Sequence, residues 1–162
     1  MQPPSVTALE QQQMNVAADL GDTFWHRVRF RLVTQAATRS GADTVLDIGA
    51  GSGQLGQWLR ARPNPPRYLF EETSPVLDAA LAAKFGAEQR GAGDAAIAST
   101  TLVTMLDVLE HIEHDDAALR TIRARMAPGT QLLVTVPAFQ RLFTSWDDSL
   151  GHFRRYTRGE LR

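Results

Sequence analysis

The stretch VLDIGAGSGQLG, residues 45–56, decides the fold of this 162-residue chain. The apolar residues around Asp47 predict a short buried strand, and the glycines after it predict a tight turn into a helix. Glycine adopts positive φ angles and lets a ligand lie directly against the backbone. A loop that leads into a helix N-terminus also presents backbone N–H groups and a partial positive charge. The stretch therefore predicts a ligand-binding loop at the end of a first strand.

Two classes of ligand compete for this loop. Residues 51–56 match the G-x-G-x-x-G pattern of dinucleotide-binding folds. One step earlier, Asp47 precedes Gly49, Gly51 and Gly53 in the pattern acid-x-Gly-x-Gly-x-Gly. A carboxylate at this strand end would repel a pyrophosphate, but it suits a ligand with cationic groups and no phosphate. S-adenosylmethionine (SAM), which carries an ammonium and a sulfonium, is such a ligand, so the acid favours SAM over NAD.

The composition excludes several classes of function. Hydrophobic residues make up 43% of the chain and charged residues 22%, as in ordinary globular domains. The net charge of -1 provides no basic field for nucleic acid. The absence of cysteine excludes disulfides, thiolate metal sites and a cysteine nucleophile. No apolar run approaches the ~20 residues of a membrane span and no signal sequence is recognisable, so we expect a cytoplasmic protein.

Strands and helices alternate along the chain, which predicts an α/β fold. Helices are predicted at 24–40, 54–62, 75–84 and 115–126, and strands at 45–48, 68–70, 102–106 and 131–136, with a further, weakly marked strand before Asp94. Such alternation is typical of a mostly parallel sheet with helices on both faces, a Rossmann-like three-layer sandwich. We expect residues 1–40 to form an N-terminal helical cap and residues 41–162 to form the ligand-binding domain.

Acidic residues follow each of four predicted strands. Because ligands of such sheets bind beyond the carboxyl ends of the strands, Asp47, Glu72, Asp94 and Asp107 are candidate ligand contacts. Glu72 lies 25 residues after Asp47, which is the strand–helix–strand distance at which an acid meets a ribose hydroxyl pair. We prefer it to Glu71 because it lies closer to the helix cap at Ser74–Pro75 and should face the crevice.

Five blocks, in order and at the right spacing over about residues 40–140, resemble the class I SAM-dependent methyltransferases, specifically the small-molecule methyltransferase group. The blocks are VLDIGAGSGQLG (45–56), FEETSP (70–75), GD (93–94), MLDVLEHI (105–112) and RMAPGTQLLVTVP (125–137). The resemblance implies a reaction that transfers the methyl group of SAM to a small-molecule acceptor and leaves S-adenosylhomocysteine.

The resemblance also implies contacts for each part of the cofactor. The methionine moiety would lie among Asp47, Gly49, Ala50, Gly51 and Gly53, the ribose at Glu72 and Thr73, the adenine at Asp94 and Ala95, and the fourth strand would contribute Leu106 and Asp107.

A further segment, GHFRRYT (151–157), resembles a subgroup in which a Gly-His-x-Arg-Arg-Tyr block follows strand 5. The family's sheet has seven strands, and this chain is too short to supply strands 6 and 7. A bare edge at strand 5 favours aggregation. We therefore expect that the sequence is a fragment, or that a second copy or a partner protein covers this edge.

Three residues are candidate general bases for an acceptor that must lose a proton: His111, His152 and Tyr156. The arginines at 154, 155, 158 and 162 form the one local positive cluster, which either receives an anionic acceptor or merely solvates a helix. His111 and His114 lie three residues apart beside two aspartates. No third ligand is evident, so we expect no metal.

Three functions remain open on these residues. The first is a SAM-dependent methyltransferase, and the second is a non-catalytic methyltransferase-like module that binds SAM or a partner. The third, motivated by the glycines at 51–56, is an NAD-dependent oxidoreductase.

Overall fold

Four parallel strands form the centre of the structure. The computed structural model describes residues 24–91 and 93–161, so most of the predicted cap lies outside the described residues. The strands are β1 Thr44–Ile48, β2 Arg67–Glu71, β3 Leu102–Leu106 and β4 Gln131–Thr135. Their order in the sheet is β2–β1–β3–β4. In register, Val45 lies opposite Tyr68 on one side and Leu102 on the other, and Leu102 lies opposite Gln131.

Helices cover both faces of this sheet. They are α1 Phe24–Ser40, α2 Gln54–Arg60, α3 Pro75–Phe85, α4 Asp94–Ala98, α5 Asp115–Arg125 and α6 Ser145–Ser149. One apolar cluster joins α1, α2 and α3 to the sheet through Phe30, Leu59 and Phe85. A second cluster joins α4 and α5 to the sheet through Ile97 and Ile122. The predicted Rossmann-like α/β sandwich is confirmed.

The start of α3 follows the local rules that predict it. The Ser74 side chain accepts a hydrogen bond from the backbone N–H of Leu77 at 3.3 Å, and Pro75 takes the first helical position. Proline fits there because its missing N–H has no partner within the helix.

The weakly marked strand before Asp94 is not formed, and this prediction was wrong. A single parallel bridge joins Phe70 to Arg90, and the Gly91 N–H donates to the Phe70 carbonyl at 2.8 Å. A side chain at Gly91 would collide with Leu46, so the chain passes close to the sheet without one. Glycines at 91 and 93 offer no apolar surface to bury, and the chain turns directly into α4.

Among the described residues, β4 is a terminal strand that pairs with β3 alone. Its side chains are exposed or half-buried, whereas those of β3 are almost all buried. After β4 the chain continues to a single bridge between Ala138 and Tyr156. None of the helices in the described ranges combines the length and the apolar character that a membrane span requires.

Candidate functional site

The glycine loop forms one wall of a cavity at the carboxyl ends of the strands. The N–H groups of Gly49 and Ala50 donate to the Glu71 carbonyl at 2.8 and 3.3 Å, which fixes the loop against β2. Gly53 has φ 75°, and a Cβ there would lie 2.5 Å from a Phe85 ring carbon. Gly53 is therefore required for close packing against α3, and it does not line the cavity.

The cavity has a volume of about 390 Å³, within the range of small-molecule pockets. Its floor is formed by the ends of β1 and β3, and α1 covers one side. The residues that line it are His26, Arg29, Phe30, Asp47, Gly49, Ala50, Gly51, Ser52, Gln54, Leu55, Leu106, Asp107, Glu110, His111, Pro137, Leu150 and His152.

Asp47 is the buried acid of the glycine-loop wall, with 3% of its surface exposed. The Tyr68 hydroxyl donates to Oδ2 at 3.0 Å, and the Thr104 hydroxyl donates to Oδ1 at 2.8 Å. Burial raises the pKa of Asp47 to about 6, although both hydrogen bonds act in the opposite direction. The side chain is therefore fixed in place and reaches its full negative charge only above about pH 6.

Glu72 lies behind the glycine loop and holds it. Its Oε2 accepts from the Gly51 N–H at 2.8 Å, and its Oε1 accepts from the Ser74 N–H at 2.9 Å. It does not line the cavity, and neither does Thr73. The Gly51 N–H, which a dinucleotide-binding loop would offer to a pyrophosphate, thus already donates to the Glu72 carboxylate.

Asp94 and Ala95 begin α4 outside the cavity. The Asp94 side chain is 87% exposed, and one of its oxygens lies 3.2 Å from Arg125 Nε. The same arginine donates to Glu71 at 2.7 Å. Arg125 therefore links Asp94 to Glu71 at the end of β2, directly before Glu72.

Asp107 makes the turn at the end of β3 with φ 55°, a left-handed conformation that aspartate tolerates better than most residues. Its carboxylate pairs with Arg29 of α1 and accepts from the Thr135 hydroxyl at 3.1 Å. Burial raises the pKa of Asp107, and the arginine opposes this effect. The pair connects α1 to the floor of the cavity.

Glu110 belongs to a second wall of the cavity, and the sequence analysis assigned it no role. Its turn, Leu109–His111, follows β3, and only 1% of its surface is exposed. Its Oε2 has no hydrogen-bond partner in the described structure. Burial raises the pKa of Glu110 to about 8.

Two histidines complete this wall. The rings of His111 and His152 meet edge to face with their centroids 4.6 Å apart. Nδ1 of His152 lies 3.1 Å from Oδ1 of the buried Asp147, which also accepts from Arg155 Nε at 2.8 Å. Hydrogen bonding from Arg155 holds the pKa of Asp147 well below its usual range. Burial lowers the pKa of His111, and a hydrogen bond to the Gly151 backbone opposes this shift.

Contacts of segment 151–157 with the turn after β3 and the start of α5 hold His152 in this wall. The Phe153 N–H donates to the Glu110 carbonyl at 2.8 Å, and Arg154 forms an ion pair with Asp115 at 2.8 Å. The Tyr156 hydroxyl donates to the Leu109 carbonyl at 3.2 Å and to Asp115 at 2.8 Å. Its hydroxyl is thus engaged, and its side chain lies away from the cavity.

The structure therefore assembles part of the predicted site. Eight predicted residues line the cavity: Asp47, Gly49, Ala50, Gly51, Leu106, Asp107, His111 and His152. Six others lie outside it: Gly53, Glu72, Thr73, Asp94, Ala95 and Tyr156. Within the arginine cluster, Arg154 and Arg155 are paired with Asp115 and Asp147, and Arg162 lies outside the described residues.

Three residues of the site were missed by the sequence analysis: Glu110, Asp147 and Arg29. A signal existed for the first, because Glu110 is an acid directly beside His111 in the block at 105–112. Asp147 lies five residues before His152, which is a local spacing that we did not use. No local pattern marks Arg29, since its partner Asp107 is distant in sequence.

Three solved structures illustrate what the fold resembles. The methyltransferase domain of bacterial CtHen1 matches with a TM-score of 0.62 at 17% identity, over 84% of this chain and 79% of that chain. A chain of the complex between the Haloferax volcanii Trm112 methyltransferase activator and a methyltransferase matches with a TM-score of 0.68 at 20% identity, over 98% and 74%. The mitomycin 7-O-methyltransferase MmcR matches with a TM-score of 0.56 at 21% identity, over 94% and 58%.

These low identities establish the fold alone. No curated protein sequence matches the chain. A family described as "Methyltransferase domain" matches residues 22–162, a range that begins before α1 and includes both walls of the cavity. Use of SAM is implied by this family. The chain belongs to the methyltransferase-domain family.

Proposed function

We propose that this protein transfers a methyl group from SAM to a small-molecule acceptor. One observation carries the proposal: the glycine loop with Asp47 and the Glu110–His111–His152 cluster line the same cavity. The first wall offers main-chain groups and the carboxylate of Asp47. The second offers the ionisable groups that an acceptor would meet.

The residues of the first wall fit the methionine end of SAM. The Asp47 carboxylate faces the cavity and attracts a cationic ammonium, and the backbone of Gly49, Ala50 and Gly51 lines the same surface. When bound, SAM supplies a methyl group already activated on a sulfonium. The protein's task is then to bind, to orient the acceptor and to exclude water, and orientation can contribute up to ~7–11 kcal/mol.

Glu72 is the proposed ribose ligand, although it already holds the loop. A carboxylate has about four lone-pair sites, so hydrogen bonds from Gly51 and Ser74 leave positions for ribose hydroxyls. In this arrangement one side chain shapes the loop and binds the sugar. Thr73, Asp94 and Ala95 stay predictions for the outer, adenosine part of the site, and Leu106 and Asp107 for its inner edge.

The same contacts oppose the NAD-dependent alternative. The Gly51 N–H donates to Glu72, and Asp47 lies directly before the loop. Two carboxylates at this position repel a pyrophosphate.

On the second wall, His111 and His152 are the proposed acceptor-activating residues. Both line the cavity, whereas Tyr156 does not, and Tyr156 is not carried into the proposal. We also do not propose an anionic acceptor, because the guanidinium groups of Arg154 and Arg155 are paired with carboxylates.

Titration calorimetry with S-adenosylhomocysteine and, separately, with NAD tests the proposal. We expect binding of S-adenosylhomocysteine and none of NAD, followed by transfer of labelled methyl groups in a panel of hydroxyl, amine and carbon acceptors. Binding of NAD alone would refute the proposal. Tight binding of S-adenosylhomocysteine without turnover on any acceptor would favour the non-catalytic module.

Two further predictions accompany this function. The first is that a second copy or a partner protein covers the free side of β4, which light scattering of the purified chain would test. The matched Haloferax volcanii chain comes from a complex with a methyltransferase activator, which supports the prediction of a partner protein.

The second prediction is a cytoplasmic location.

A further inference from the structure

We propose that Glu110, His111 and His152 bind a divalent metal cation at the acceptor wall of the cavity. Each residue offers one ligand atom, and the three atoms lie within 4.8 Å of one another. In a tetrahedral site, ligand atoms ~2.1 Å from the ion lie about 3.4 Å from one another. Side-chain rotations that shorten these separations bring all three atoms into one coordination sphere.

The first support is the state of Glu110. Its side chain is almost fully buried, lines the cavity and leaves Oε2 without a hydrogen-bond partner. A buried carboxyl oxygen without a partner is unfavourable, and buried carboxylates are normally paired or bound to metals. The nearest guanidinium of the cavity, that of Arg29, is paired with Asp107. A cation beside Glu110 provides the counter-charge that the described residues do not.

The second support is the orientation of the His152 imidazole. Metal-ligating histidines usually donate their other ring N–H to a carboxylate or a backbone carbonyl. Nδ1 of His152 lies 3.1 Å from Asp147 Oδ1, so its Nε2 stays available as a ligand. Asp147 is itself fixed by Arg155, so the orienting contact is rigid.

The donor set indicates the kind of cation. Two imidazole nitrogens and one carboxylate oxygen suit Zn²⁺ and its first-row neighbours, and three protein ligands leave a position open. All three residues line the cavity. If the proposed methyl transfer holds, on which this step rests, a cation there would bind an acceptor oxygen and lower its pKa. The acceptor class is then a hydroxyl compound.

This site differs from the histidine pair considered in the sequence analysis. His114 is exposed at the start of α5 and does not line the cavity. The third ligand comes instead from residue 152, about 40 residues along the chain, which no local spacing reveals.

The test is calorimetric titration of the chelator-treated chain with Zn²⁺, with Co²⁺ absorption as a second probe of nitrogen and oxygen ligands. We expect one ion per chain. Glu110→Gln and His152→Gln should each weaken Zn²⁺ binding by about 100-fold or more. Loss of a residue that only orients a metal ligand already costs up to about 100-fold in affinity, and loss of a ligand should cost at least as much. His114→Ala is the matched control and should bind as the wild type does. Equal binding by wild type and Glu110→Gln, or loss of binding in His114→Ala, would overturn the proposal.

Thermal unfolding distinguishes a lost ligand from a misfolded variant. Without metal, Glu110→Gln should unfold close to the wild-type temperature, because the amide keeps the size of the side chain and Oε2 has no hydrogen-bond partner to lose. Zn²⁺ should raise the unfolding temperature of the wild type but not of Glu110→Gln, since a ligand stabilises only the state that binds it. An equal rise in both proteins would contradict the site.

S-adenosylhomocysteine titration of the same samples keeps the two proposals apart. Zn²⁺ binding without S-adenosylhomocysteine binding supports the metal site and refutes methyl transfer. S-adenosylhomocysteine binding without Zn²⁺ binding overturns the metal site and leaves methyl transfer intact.

Discussion

The two walls of the cavity each carry a buried acid, and the two acids are in opposite states. On the glycine-loop wall, Asp47 accepts hydrogen bonds from Tyr68 and Thr104. On the histidine wall, Glu110 has an oxygen without any partner in the described structure. Both oxygens of Asp47 are thus satisfied by hydrogen bonds that fix the side chain in this wall. The second acid has one buried oxygen without a partner, and such an unsatisfied oxygen indicates a missing ligand.

The largest expected difference between the walls is in how much each buried acid contributes to the free energy of unfolding. Asp47→Ala should lower the free energy of unfolding by about 2–4 kcal/mol, because the buried hydroxyls of Tyr68 and Thr104 lose their acceptor. Glu110→Ala removes no hydrogen bond from a partner side chain and should cost clearly less. Urea unfolding in the presence of a chelator measures both changes. Equal losses would contradict this difference, because they would mean that Glu110 is as well hydrogen-bonded as Asp47.

The second expected effect concerns cofactor affinity at the glycine-loop wall. Glu72→Ala should weaken binding of S-adenosylhomocysteine by roughly 1–3 kcal/mol, the scale of a hydrogen bond to a charged group. Glu71→Ala is the control, because the Glu71 side chain pairs with Arg125 outside the cavity. Unchanged affinity in Glu72→Ala would remove this residue from the cofactor site.

A smaller effect should appear in the pH dependence of SAM binding. Since the pKa of Asp47 is raised to about 6, its attraction for the ammonium is present above that pH and is lost as pH falls below it. Affinity should fall by up to about tenfold from pH 8 to pH 5, since one pKa unit corresponds to about 1.4 kcal/mol. Histidines of the cavity titrate in the same range. Asp47→Asn isolates the aspartate, and an unaltered pH profile in that variant would contradict its role.

The smallest effect tests Tyr156, which supports the histidine wall from outside the cavity. Tyr156→Phe removes hydrogen bonds to Leu109 and Asp115 and should lower the free energy of unfolding by about 1 kcal/mol. Binding of S-adenosylhomocysteine should not change. A loss of methyl transfer with normal stability would return Tyr156 to the catalytic residues.

The glycine-loop wall was largely predictable, because its signals are local. The strand β1, the turn and the start of α2 follow from consecutive residues, and the cap of α3 follows from Ser74 and Pro75. The prediction of a strand before Asp94 was wrong because the outcome there depends on a distant residue. The glycines of this segment favour a close pass along the sheet over a strand, and the position of Leu46 that decides this lies far away in the sequence.

The histidine wall was predictable only in part. His111 and His152 are visible as residue types, but the burial of Glu110 and its unpaired oxygen depend on how segments about 40 residues apart pack together. The same holds for Tyr156, which has the chemistry of a base and a position that uses its hydroxyl elsewhere. Residue type indicates what a side chain can do, and only packing determines whether the cavity reaches it.

The attachment of segment 151–157 has a consequence for engineering. Its hydrogen bonds and ion pairs go to residues 109–115, 137–148 and 160, and none of these lies in the glycine loop. Under the proposed methyl transfer, changes in this segment would alter which compounds are accepted, while the glycine loop keeps its own contacts.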